Sequence, residues 1–168
     1  LNGLCEIIKL AIIADAELFD LLELHGAECV GSRFQNAQSD ITLDRAIAGM
    51  IKELEPNLFE EELARKVDFG HTFSYGLETR HEANLLHGEA VLLDILLSTL
   101  IARGRNLMTD DETSRVFRLT RELGFAIDAS VLDPSLLCAS LTERTYHRNG
   151  LQRVPIPRGI GDCAFLND

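Results

Sequence analysis

Apolar residues at Leu4, Ile7, Ile8, Ala11, Ile12, Leu18, Leu21 and Leu22 recur at steps of three and four, which places them along one face of a helix and excludes a strand. The same period returns in most later segments. It predicts a helical stretch running to about His25-Gly26, then a connection over Ala27 to Gln38. Asp40 or Thr42 is positioned to cap a helix from Leu43 to Leu54, which Pro56 ends. Short helices are expected over Leu58 to Val67 and, after a turn at Gly70, over His71 to Arg80. A loop from His81 to Leu85 precedes a long apolar helix from near His87 to near Gly104. Asp110 or Asp111 opens a helix to Leu123-Gly124, and Asp133-Pro134 starts another to about Leu141. The tail differs: Asn149-Gly150 reads as a turn, and Leu151 to Ile156 can pair with Cys163 to Leu166 as a hairpin. The expected fold is mainly α, one domain over residues 1–168, with a small β-hairpin near the C-terminus.

Composition narrows the function classes. Sixteen Lys and Arg stand against 27 Asp and Glu, a formal charge of −11. Nucleic acid and anionic membrane surfaces are therefore poor partners, since phosphate recognition needs clustered cations. The longest apolar run, Ala90 to Ala102, is too short to span a bilayer and is broken by Asp94. Cys5, Cys29, Cys138 and Cys163 show no CxxC pairing and read as small buried hydrophobes carrying free thiols. The chain opens on Leu1 inside an apolar pattern, so the expectation is a cytoplasmic protein seen without its true N-terminus. No GxGxxG or GxxxxGK[ST] motif is present to cradle a nucleotide, and Gly159-Ile160-Gly161 reads as a structural turn.

Two of the five histidines stand out. His71, in Asp68-Phe69-Gly70-His71-Thr72-Phe73, and His87, in Leu86-His87-Gly88-Glu89, are each expected at a helix start beside a glycine. Two imidazoles and a carboxylate from distant segments are what a catalytic zinc site uses. Capping or core histidines are the bland alternative. Spacing does not identify the carboxylate; Glu6, Glu78 and Glu89 are all candidates. Glu6 and Lys9 lie three apart on one helix in nearly all-apolar surroundings, which is unusual for a solvated ion pair and points toward a site. His25, His81 and His147 read as surface or loop residues. Arg148, Arg153 and Arg158 read as solvated charge.

Three motifs carry a family resemblance. Gly3-Leu4-Cys5-Glu6-Ile7-Ile8-Lys9 with Ile13-Ala14-Asp15-Ala16-Glu17-Leu18-Phe19 resembles the GxAExIKxxxIxDxxLF segment of the dehydroquinate synthase-like sugar phosphate cyclases. Asp68 to Phe73 and Leu86-His87-Gly88-Glu89-Ala90-Val91 resemble that family's NFGHTFGHAIE and LHGEAV signatures, in the same order and spacing. The resemblance implies the helical, metal-binding C-terminal half of an enzyme whose N-terminal half is an NAD-binding α/β domain. It implies Glu6, His71 and His87 as ligands of zinc or cobalt, and Lys9 in the substrate pocket. It also implies a homodimer, and a chain that does not catalyse alone.

Departures from the motifs narrow the substrate. Dehydroquinate synthases carry Lys and Arg where this chain has Met50 and Ala64, so the charge-assisted grip on a substrate carboxylate is missing here. Arg65 and Lys66 are adjacent but would point off that face of a helix. Asn is replaced by Asp68 and a second His by Tyr75. The motifs, with Asp94 and the Gly150 to Pro157 run, are most similar to the branch that cyclises sedoheptulose 7-phosphate, chiefly 2-epi-5-epi-valiolone synthases. Siblings make 2-epi-valiolone or desmethyl-4-deoxygadusol. In that reading Asp68 binds substrate or orients a ligand, Tyr75 contacts phosphate or hydroxyl, and Asp94 marks the branch. Plain alternatives are a capping Asp68, a buried helix-interior Asp94 and a core Tyr75. Dehydroquinate synthase itself and a standalone metal-binding helical domain remain the other readings.

Overall fold

The computed structural model describes residues 2–79, 85–126, 128–147 and 149–167. Two helices form its centre, α1 (Asn2–Ala14) and α5 (His87–Gly104), packed against each other. Both are apolar nearly all round, as helices enclosed by neighbours must be. Ile8, Ile12 and Ile13 of α1 and Val91 and Ile95 of α5 are fully buried, each contributing about 1.5–3 kcal/mol of apolar transfer. Around them lie α2 (Ala16–Gly31), α3 (Ala37–Leu54), α4 (Ser74–Glu78), α6 (Asp110–Glu122) and α7 (Pro134–His147). Strands β1 (Val154–Pro157) and β2 (Cys163–Leu166) pair antiparallel, with Val154 opposite Leu166 and Pro157 opposite Cys163. The mainly α expectation with a terminal hairpin matches this architecture.

Several boundaries differ for identifiable reasons. The first helical stretch is two helices, because Asp15 leaves the helical conformation and its side chain accepts from the Leu18 N–H as the cap of α2. Arg45 of α3 locks Asp15 with two hydrogen bonds of 2.6 and 2.7 Å. The N–H of Gly161, in the hairpin turn, donates to the Ile12 carbonyl at the end of α1. Helix α2 then runs through residues 27–31, and α3 begins at Ala37 because Asn36, not Asp40 or Thr42, caps it. No α-helix forms over Leu58 to Val67. Asn57 instead bonds both backbone groups of Glu62, Glu60 adopts a φ of 56°, and only a 3₁₀ turn, Lys66–Asp68, follows. The helix expected over His71 to Arg80 contracts to α4, while α7 extends past Leu141 to His147. The first strand starts at Val154, since Arg153 has a φ of 46° and its N–H is taken by the Asn167 side chain.

Helices α5 and α6 start and stop near the expected positions. Thr109 caps α6, and the Glu112 carboxylate returns to the Thr109 N–H. Arg115 ties α6 to Asp20 and Glu23 of α2 and lies 5.2 Å from the Phe19 ring centroid. Cys5, Cys29 and Cys163 are buried free thiols, whereas Cys138 is exposed, contrary to its expected burial. Burial pushes the Cys5 and Cys163 thiols up to about 12. No helix among the described residues is long and apolar enough to cross a membrane.

The contact that matters most for the site is at Gly88. A methyl group there would lie 2.6 Å from the Asn2 side-chain oxygen and 2.8 Å from its backbone. The starts of α1 and α5 approach this closely only because position 88 has no side chain. Gly88→Ala is expected to cost about 1–3 kcal/mol in urea unfolding. It should also weaken zinc uptake, because the first turn of α5 carries His87.

Candidate metal centre

Three chain segments meet where α1, the turn before α4 and the start of α5 converge. Glu6 comes from the first turns of α1, His71 from the turn between the Lys66–Asp68 3₁₀ segment and α4, and His87 opens α5. His71 thus precedes its helix by a few residues instead of starting it. One ligand atom from each of Glu6, His71 and His87 lies within 4.8 Å of the others, the one such grouping among the described residues. The two rings are stacked, with centroids 5.6 Å apart and planes 18° from parallel.

The partners of each ring assign the nitrogen it offers. Lys9 can only donate, and its Nζ lies 3.4 Å from Nε2 of His71, so that nitrogen carries the lone pair. Nδ1–H of His71 then faces the Ser74 hydroxyl at 3.4 Å. On His87, Nδ1 lies 3.0 Å from the Glu78 carboxylate, an acceptor, which leaves Nε2 as the free donor atom. Burial holds His71 below the ordinary imidazole range; the Lys9 ammonium reinforces this, against the pull of Glu6. A neutral ring is the form that ligates.

The three candidate carboxylates have separated roles. Glu6 faces His71, with Oε1 4.0 Å from Nε2, and its other oxygen pairs with Lys9. Glu89 caps α5 by accepting from the Leu86 N–H at 2.8 Å. Glu78 serves the far side of His87. Lys9 is almost fully buried and, among the described residues, pairs its charge with Glu6, a costly arrangement outside a functional site.

The turn bearing His71 is held from beneath. Gly70 has a φ of 78°, and Asp68 accepts the His71 N–H through its carbonyl at 2.9 Å. The Asp68 side chain is buried between two guanidinium groups, Arg65 at 3.5 Å and Arg144 at 3.7 Å. Arg65 therefore turns toward Asp68, and with no helix over Leu58 to Val67 a helix face does not set its direction. Arg144 is the residue that sequence reading missed. Buried on α7, it donates to the carbonyls of Gln152, Arg153 and, at 3.4 Å, His71. Only its separation of 73 residues from His71 hid it.

Asp94 is fully buried in α5. One oxygen accepts from the N–H groups of Phe73 and Ser74, and the other from the Ser98 hydroxyl at 3.1 Å. Burial pushes its carboxyl up to about 6, against the pull of those donors. A folded value above the unfolded 3.8 makes its contribution to stability full below about 3.8 and lost as pH rises through about 6. Parent protein should accordingly gain about 1 kcal/mol over Asp94→Asn between pH 7 and pH 5, read by urea unfolding at each pH.

Tyr75 is two-thirds exposed, not core. With His71, Thr72, Gly76, Ser140 and Arg144 it lines a cavity of about 370 Å³ between α4 and α7. Met50 instead lines an apolar groove of about 590 Å³ with Leu10, Phe34 and Ile47. Arg153 and Arg158 are held by Glu62 and Asp162. His81 and Arg148 lie outside the described residues, as does the side chain of His147.

Residues 3–145 match the family model described as 3-dehydroquinate synthase C-terminal. The chain belongs to that family. A 2-epi-5-epi-valiolone synthase of Streptomyces hygroscopicus subsp. jinggangensis (strain 5008) is 47% identical over 99% of this chain and 42% of its own length. One from an Actinomyces species is 45% identical over 99% of this chain and 45% of its own. A solved structure of the Streptomyces enzyme with NAD+ and Zn2+ bound superposes with a TM-score of 0.95 at 48% identity, covering 99% of this chain and 46% of that one. The chain thus spans less than half the length of the relatives it matches.

Proposed function

We propose that this family member is the metal- and substrate-binding part of a sugar phosphate cyclase that converts sedoheptulose 7-phosphate into a C7 cyclitol of the 2-epi-5-epi-valiolone type, eliminating phosphate. The convergence of Glu6, His71 and His87 carries this reading. Two histidines and one glutamate form a donor set typical of catalytic zinc, and the partners of Nδ1 on both rings leave Nε2 to ligate. The residues fit a divalent ion, zinc or cobalt. Bound metal would supply Lewis acidity to adjacent substrate oxygens, and NAD, held mainly by an N-terminal α/β domain, transient hydride acceptance.

The chain's own residues then have defined tasks. Glu6, His71 and His87 hold the ion. Lys9 keeps a buried positive charge beside it, stabilising negative charge that develops on a substrate oxygen. Asp68, fixed by Arg65 and Arg144, positions the His71 turn, and in this reading its carboxylate binds substrate or orients a ligand. Tyr75 lends a phenol to the neighbouring cavity, where it can bond phosphate or hydroxyl. The apolar groove along α1 and α3 suits cover by the α/β domain, and a homodimer in the cytoplasm completes the reading. This part of the enzyme is inactive by itself.

Substrate choice rests on Met50 and Ala64, which offer no cation to a carboxylate. Full-length protein with NAD+ and Zn2+ should release phosphate from sedoheptulose 7-phosphate and not from 3-deoxy-arabino-heptulosonate 7-phosphate. The reverse preference would make it a dehydroquinate synthase.

A further inference from the structure

Helix α4 is only five residues long, yet it carries a partner for each imidazole. Ser74 at its start meets Nδ1 of His71 at 3.4 Å, and Glu78 at its end meets Nδ1 of His87 at 3.0 Å. Four residues apart, the two side chains share one helix face. The demands on them differ. His71 is partly buried and also held by Lys9, whereas the His87 side chain is 58% exposed and has less packing to orient it.

We propose that Glu78 is the positioning residue of the metal centre. By accepting the Nδ1 proton it fixes the tautomer and plane of His87 and makes Nε2 a stronger donor to a divalent cation. Glu78 is not itself a ligand, because it engages the ring through the nitrogen opposite the one offered to the cluster. A solvent-exposed ion pair without function would leave metal binding unchanged on its removal. This inference rests on Glu6, His71 and His87 as ligands.

Full-length protein carrying Glu78→Ala or Glu78→Gln tests it. Zinc affinity is read by competition with a chromophoric chelator, and the donor field by the visible bands of the cobalt-loaded protein. Glu78→Ala should bind zinc about 10–100-fold more weakly, with shifted cobalt bands. Glu78→Gln, whose amide oxygen still accepts the Nδ1 proton, should lose less, about threefold to tenfold. Alanine and glutamine variants with the parent's affinity and spectrum overturn the inference. Should the alanine variant fail to fold, the glutamine variant decides: parental affinity overturns it, and weakening by about threefold or more at an unchanged melting temperature supports it. A parent protein that takes up neither ion overturns the metal reading and this inference together. Parent binding with indifferent Glu78 variants overturns this inference alone.

Discussion

Replacing His71 with alanine is expected to lower zinc affinity by more than about 100-fold, beyond what loss of an outer partner costs, while the fold survives. The two effects separate because His71 contributes little to the core. Its side chain is 35% exposed, and its ring meets Lys9, Glu6, Ser74 and the stacked ring of His87, none of them part of the apolar core. Removing the ring leaves Lys9 paired with Glu6 and leaves the Asp68 carbonyl bonded to the backbone N–H of residue 71. Chelator competition gives the affinity, and urea unfolding without metal should stay within about 1 kcal/mol of the parent. His87→Ala should behave alike.

Asp94→Ala should do the opposite and unfold the protein from inside. The carboxylate accepts from two backbone N–H groups and one hydroxyl in a fully buried position. Alanine leaves all three donors in apolar surroundings without a partner, each worth about 1–3 kcal/mol when stranded. Allowing for partial relaxation, a loss of about 3–5 kcal/mol is expected, a large share of the stability of a domain this size. Equilibrium urea unfolding measures it. The turn from Phe73 to Ser74 is the segment that aims His71, so residual folded Asp94→Ala protein should also bind zinc poorly. Asp94→Asn, which retains one acceptor oxygen, should be intermediate.

Helix content and the ligand set were legible in the sequence to different depths. Period alone reveals α5 and α6, because long apolar or amphipathic runs leave one solution and the caps sit where the pattern begins. It does not reveal the break at Asp15. Leu18, Leu21 and Leu22 keep phase with Leu4 and Ile8, and the partner that holds Asp15 out of the helix is Arg45, thirty residues away. Over 58–67 two of the apolar residues that imitate a helix, Leu58 and Phe59, are in fact exposed, and side-chain bonds of Asn57 decide the conformation. Motif resemblance marks Glu6, Lys9, His71 and His87. The parts that aim them, Glu78, Arg144 and the Asp94 bonds, are tertiary arrangements between distant segments, for which no local pattern exists.

X-ray absorption of the zinc-loaded full-length protein tests the central claim most directly. One zinc per chain, with two imidazoles and a carboxylate oxygen at about 2.0–2.2 Å and no sulfur in the shell, is the expected result. A sulfur scatterer near 2.3 Å, or zinc that does not bind stoichiometrically, would contradict a centre built from Glu6, His71 and His87.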